Sequence, residues 1–177
     1  SSHDTADRCA ELRRERHEAY TQYHGFQLAW QRARSDRFPF AALLDTCPEY
    51  WTQQASRGGG LRYFPIVDSG WDARPWHGEK SLVAYGRTPE LFKRHLQDAR
   101  QLLESSAARR PSTNFVIIEA WNEWGEGSYI EPHREFGFGY LDAIRDVFTG
   151  APKVHVDLVP GDVGLALREV RPQAPDQ

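Results

Sequence analysis

Residues Asn114 to Pro132 read NFVIIEAWNEWGEGSYIEP. The stretch opens as an apolar run, Phe115 to Ile118, and then places Glu119, Glu123 and Glu126, two tryptophans and two glycines within nine residues. A strand that ends in acids, rings and glycine is how an α/β scaffold presents a site at the carboxyl edge of its sheet. Along such a strand Glu119, Trp121 and Glu123 share the inward face, while Val116, Ile118 and Ala120 face outer helices. Glu123 and Glu126 point to opposite sides of an extended chain, so they share one pocket only where the chain turns between them. Gly125 and Gly127 permit that turn.

The same logic occurs upstream in Leu61 to Trp76, LRYFPIVDSGWDARPW. Tyr63 to Val67 is a short apolar β-rich run, and Asp68, Trp71 and Asp72 end it with acids and a ring. Thr88-Pro89-Glu90 is a helix start: a capping hydroxyl, proline in the first turn and an acid near the positive end of the dipole. Leu91, Phe92, Leu96, Ala99, Leu102 and Leu103 supply its buried face. A further helix is expected over Glu135 to Phe148, with Tyr140, Leu141, Ile144, Val147 and Phe148 inward, ending at Gly150. Tyr63 to Phe148 is therefore two consecutive βα units, which imply a parallel sheet with helices outside. Ahead of them the pattern predicts a charged helix over Asp4 to His24 and a short helix over Phe26 to Ala33. The apolar run Phe38 to Leu44 fits a strand or a helical turn equally, and Pro48 to Ala55 one or two helical turns. Residues 1–150 make one domain. Residues 151–177 are a tail with one β-like run, Val154 to Val159, and a polar, proline-containing end expected to be partly disordered.

Composition excludes several classes. A formal net charge of −3, with both signs interspersed, leaves no basic stripe for nucleic acid or an anionic membrane. No apolar run is long enough to span a bilayer. The two cysteines, Cys9 and Cys47, and the seven histidines show no metal-ligand spacing, so neither a metal nor an organic cofactor is expected. His77 and His133 lie on the candidate site loops. The chain opens Ser1-Ser2-His3 and has no methionine, so it gives no reading of compartment.

Glycoside cleavage commonly uses two carboxyl groups, one giving a proton to the departing oxygen and the other acting across the ring. Glu123 and Glu126 supply such a pair. Four of the six tryptophans, Trp71, Trp76, Trp121 and Trp124, cluster at the two strand ends, where flat apolar faces beside acids suit a sugar ring or line a barrel mouth. Asp68 and Asp72 are placed to bind hydroxyls or to cap the next turn.

Asn122 to Glu131, NEWGEGSYIE, resembles the N-E-W-x-E-G-[ST]-x-x-E signature of glycoside hydrolase family 99 and of the family-99-like domains known as WbsX-type glycosyltransferases. The run WNEWGEGSYIEP with GFGYLDAIRDVF, and upstream GWDARPW and RTPELFKRHLQDAR, are closer to the WbsX-type branch. The resemblance covers about Tyr63 to Phe148 and extends weakly into DLVPGDVG of the tail. It implies a (β/α)8 barrel with the glutamate motif on a late strand, so this chain would be the C-terminal part of a TIM-type barrel, incomplete by itself, its upstream half missing. It also implies Glu126 as general acid/base and Glu123 as the carboxylate that deprotonates the sugar 2-hydroxyl. Asp68, Trp71, Asp72, Trp121, Asn122, Trp124, Tyr129 and Glu131 then become candidate contacts to an oligo- or polysaccharide. The family's mannosidases carry histidine where this chain has Gly125, which leaves the acids in place and the sugar open.

Overall fold

A computed structural model describes residues 2–105 and 115–154, together with Asp162 and Gly164. Nearly all of the tail, including the β-like run beyond Val154, lies outside the described residues. The first half holds helix α1 (Ser2–Arg14), strand β1 (Ala19–Tyr20), α2 (Gln27–Ala33), β2 (Arg37–Pro39), α3 (Ala41–Arg57), β3 (Arg62–Tyr63) and β4 (Ile66–Asp68). The second half holds β5 (Trp71–Asp72), α4 (Arg74–His77), β6 (Val83–Tyr85), α5 (Pro89–Ser105), β7 (Ile117–Glu119), β8 (Asn122–Glu123), β9 (Ser128–Tyr129) and α6 (Gly139–Phe148). The chain is mixed α/β, and among the described residues no sheet closes on itself.

Three parallel pairings organise it. β1 runs beside β3, β4 beside β7 with Asp68 opposite Glu119, and β2 beside β6. Successive residues of an extended chain turn their polar groups to opposite edges. The Phe64 N–H donates to the Tyr20 carbonyl, while the Pro65 carbonyl accepts from Ile117. β1 and β7 therefore flank opposite edges of the run Arg62 to Asp68, giving a parallel array in chain order. β5 adds antiparallel to β6, and β8 pairs antiparallel with β9.

The core lies between this array and helices α3, α5 and α6. Phe38, Phe40, Leu43, Trp51, Val67, Phe92, Leu96 and Tyr140 are its buried centre, and the Trp51 indole N–H donates to the Ile66 carbonyl at 3.0 Å. α5 follows its sequence pattern: the Thr88 hydroxyl accepts from the Leu91 N–H at 3.3 Å, and Phe92, Leu96 and Ala99 face inward. Val116 and Ile118 pack on the core. On the opposite face of the same run, Phe115 is 54% exposed and Ile117 36%. The apolar run Phe115 to Ile118 is thus covered on one face only.

Three boundaries differ from expectation. The helix drawn over Asp4 to His24 stops at Arg14, and Arg16 takes a positive φ of 66°. The following residues join the sheet, where Tyr20 meets Tyr63 with ring centroids 5.3 Å apart; pairing with β3 overrides weak helical spacing. The Phe38 to Leu44 run divides into β2 and the first turn of α3, which continues through Pro48 as one 17-residue helix. The last helix begins at Gly139 rather than Glu135, because His133 and Gly137 close a tight turn by bonding each other's backbone.

Candidate active site

The carboxyl ends of β1, β4 and β7 converge on a buried polar group. Asp68 ends β4 and is fully enclosed. Its Oδ2 accepts the Gly25 N–H at 2.9 Å, and its Oδ1 lies 3.3 Å from His24 Nδ1. Glu119 sits opposite it at the end of β7, also buried, with Oε2 3.8 Å from His24 Nδ1. The Ser128 hydroxyl donates to the Glu119 carboxyl, linking the motif's second strand back to β7. Two carboxylates side by side in an enclosed site cannot both ionise cheaply. Burial, with the charges of Asp68, Glu126 and Glu123 added, pushes Glu119 up to about 8 against the opposing Ser128 bond, so Glu119 holds its proton at neutral pH.

A stability slope follows. Near pH 4 Glu119 is protonated in both the folded and the unfolded chain, and its raised pKa costs nothing. As pH rises, the unfolded chain releases the proton near 4.5 while the folded chain keeps it until about 8, so the protein loses stability across that window. The loss amounts to several kcal/mol at most, at about 1.4 kcal/mol per unit. In urea denaturation at a series of pH values, Glu119→Gln should flatten this part of the curve and exceed the parent above pH 8. A variant slope equal to the parent's would disprove the assignment.

Beyond Glu119 the Glu119–Ala120 peptide is cis, and the chain forms a tight loop. β8 carries Asn122 and Glu123, a single 3₁₀ turn spans Trp124–Glu126, Gly127 takes φ +67°, and β9 returns with Glu123 opposite Ser128. The chain does turn between the two acids, at the place the glycines allow. A side chain on Gly127 would meet the Asp72 backbone nitrogen at 2.7 Å, and one on Gly125 would meet the Trp76 indole at 2.0 Å. The loop is thus seated against β5 and α4.

Glu126 Oε2 accepts the Tyr23 hydroxyl at 2.7 Å, a bond that raises the Tyr23 phenol with the nearby carboxylates adding to it. Glu123 is exposed, and its carboxylate makes no hydrogen bond or ion pair among the described residues. Trp124 stacks on Tyr129 at 3.9 Å and donates its indole N–H to Glu131 at 3.0 Å. Arg87 covers Tyr129 at 3.9 Å and donates to the Gly127 carbonyl at 2.9 Å. Trp121 and Asn122 are exposed on the loop.

Among the residues singled out in the sequence, Glu123, Glu126, Trp121, Asn122, Trp124, Tyr129 and Glu131 share the loop, with Asp72 against Gly127. Asp72 is held in a two-point ion pair with Arg74, at 2.8 and 2.6 Å, which keeps its carboxyl below the usual range. Trp71 is half-buried with its ring 4.2 Å from His24 and 5.3 Å from Phe26. Asp68 lies behind the surface, its oxygens turned to Gly25 and His24. The sequence reading missed His24, Tyr23 and Arg87, and gave Glu119 no role. Only the recognition of β1, with Tyr23 and His24 just past its carboxyl end, could have found the first two. Two buried sets, His24–Asp68–Glu119 and Cys47–Asp68–His95, bring donor atoms within 4.8 Å of one another. The first is already joined by the bonds described above.

Three comparisons bear on this chain. The protein WxcX from two strains of Xanthomonas campestris pv. campestris, B100 and ATCC 33913, is 33% identical over 96 residues. That match covers 54% of this chain but only 13% of WxcX. A solved glycoside hydrolase-like protein superposes with a TM-score of 0.51 at 17% identity, over 76% of this chain and 38% of its own, and so shares the fold. The family described as Glycosyltransferase WbsX matches residues 4–144, which take in the whole carboxylate loop and reach into α6, and the chain belongs to that family.

Proposed function

We propose that this chain acts on glycosidic bonds of an oligo- or polysaccharide, with Glu126 as general acid/base and Glu123 as the carboxylate that deprotonates the sugar 2-hydroxyl. The observation that carries the reading is the loop itself. It holds Glu123 and Glu126 at the two ends of one 3₁₀ turn just past β7, beside the exposed faces of Trp121 and Trp124. Tyr23 fixes Glu126 in place, whereas Glu123 is open to a substrate hydroxyl. Proton transfer between positioned carboxyls and a bound sugar needs this combination of one held and one reachable group.

In the same reading the parallel array is an arc of a (β/α)8 barrel, whose remaining strands would cover the bare inward stripe of Phe115 and Ile117. The stripe's exposure, opposite the core-packed Val116 and Ile118, supports this. Hydrolysis is the first reading. Transfer to a second sugar hydroxyl uses the same acids, and the family's description as glycosyltransferases favours keeping it.

The test is to incubate the full-length protein with α-mannosides and other glycans, with and without an acceptor sugar. Release of reducing ends without acceptor identifies a hydrolase, and a lengthened product that needs acceptor identifies a transferase. Binding without either reaction, lost on replacing Trp121 with alanine, would mark a sugar-binding module and end the catalytic reading.

A further inference from the structure

Between the carboxylate loop and the β5–β6 ribbon lies a cleft of about 410 Å³, whose lining includes neither Glu123 nor Glu126. Trp71, Trp124 and Tyr129 form part of its wall, and three guanidinium groups, Arg37, Arg74 and Arg87, line it. Arg74 is spent on Asp72. The Arg37 side chain, exposed on β2, has no hydrogen bond or ion pair among the described residues. Arg87 gives one N–H to the Gly127 carbonyl and lies over Tyr129, and it pairs with no carboxylate among the described residues. The acids of the lining are Asp72, already neutralised, and Glu135. In a chain of net negative charge, the cleft therefore holds surplus positive charge beside the candidate active site.

We propose that this cleft is an anion subsite, taking a carboxylate or phosphate group carried by the saccharide whose bond is processed at the loop. The proposal rests on the carbohydrate reading above and narrows its substrate to an acidic one. A neutral sugar is satisfied by aromatic faces and uncharged hydrogen-bonding groups. Arg37 lies near enough to Asp72 to lower its carboxyl, but neither it nor Arg87 is hydrogen-bonded to a carboxylate among the described residues, and two such guanidiniums match an oxyanion, because each presents a planar fork of N–H groups spaced for two oxygens. Gly127 and Tyr129 belong both to the cleft wall and to the carboxylate loop, so an anion seated in the cleft adjoins the loop that carries Glu126.

The experiment is titration of the full-length protein at low salt with glucuronate, inorganic pyrophosphate and glucose, read by calorimetry, for the parent and for Arg37→Gln. Arg37 is exposed, so its substitution leaves folding intact where Arg87→Gln, which frees the loop, need not. At least one anion should bind more tightly than glucose, weaken as salt is added, and lose about tenfold in affinity in Arg37→Gln, as expected for one charge-assisted hydrogen bond. Preference for pyrophosphate names a phosphate-bearing saccharide, and preference for glucuronate an acidic sugar. Anions that bind no better than glucose, or that bind Arg37→Gln as well as the parent, overturn the proposal. Binding is read without turnover. A protein that binds the anion and processes no glycan therefore fails the catalytic reading alone, and one that processes neutral glycans with no anion binding fails this proposal alone.

Discussion

Exchange of Glu126 for glutamine should lower turnover by about 10²–10⁴, the usual contribution of a positioned proton-transfer group, while saccharide affinity changes little. Glutamine keeps the shape and an oxygen that can accept the Tyr23 hydroxyl, now bonded to Glu126 at 2.7 Å, so the loop has no reason to move. What is lost is the ability to give and take a proton at that atom. Glu123→Gln should have an effect of the same order through a different step, because an amide cannot draw a proton from a sugar hydroxyl. The two losses should not multiply in the double variant, since both groups serve one displacement. Rates and affinities for the parent and the three variants, on whichever glycan the panel selects, decide the matter. Retained turnover in both single variants would remove these acids from the mechanism.

Asp68→Ala should cost about 3–5 kcal/mol of stability, in the range found when one member of a buried charged network is deleted. For a chain of this length that is a fall in Tm of roughly 10 °C. The carboxylate is fully enclosed, and its removal strands the Gly25 N–H and the His24 ring nitrogen, now 2.9 and 3.3 Å from its oxygens. Asp68→Asn, which keeps an acceptor for the Gly25 N–H and removes a charge beside Glu119, should cost less. The contrast with a surface sugar contact is direct. A residue that touches substrate loses affinity with little change in Tm, whereas Asp68 should lose Tm with affinity intact at temperatures well below the transition. Thermal melts and a binding isotherm on the same variant separate the two, and an unchanged Tm would show that the buried network does not depend on it.

Much of this site was legible in the sequence because its signals are local. The Thr88-Pro89-Glu90 start fixes α5 within one residue, the alternation of the Phe115 to Ile118 run places Val116 and Ile118 on the core side, and the glycines at 125 and 127 mark the turn. What escaped depends on contacts across the chain. β1 is two residues of a charged segment that become a strand only by pairing with Arg62–Tyr63, and no local pattern announces that. With β1 unseen, Tyr23 and His24 stayed in a supposed helix, far from the glutamates they meet. Glu119 was placed on the inward face, yet its burial against Asp68 follows from the β4–β7 register, which a strand read singly does not carry. Asp68 was read for its chemistry, and the residues that close over it belong to the segment after β1, to α3, to α5 and to β7.

The placing of the tryptophans also makes the molecule its own optical reporter. Trp51 is sealed in the core; Trp76, Trp121 and Trp124 stand exposed around the carboxylate loop, and Trp30 is exposed on α2. Indole emission shifts to the red in contact with water, so the protein's fluorescence combines one blue, unresponsive component with a red component drawn largely from the loop. A saccharide settling on Trp121 or Trp124 would shield the second and leave the first untouched. The spectrum would thus report occupancy of the loop separately from the integrity of the fold, without a label and before any substrate has been identified.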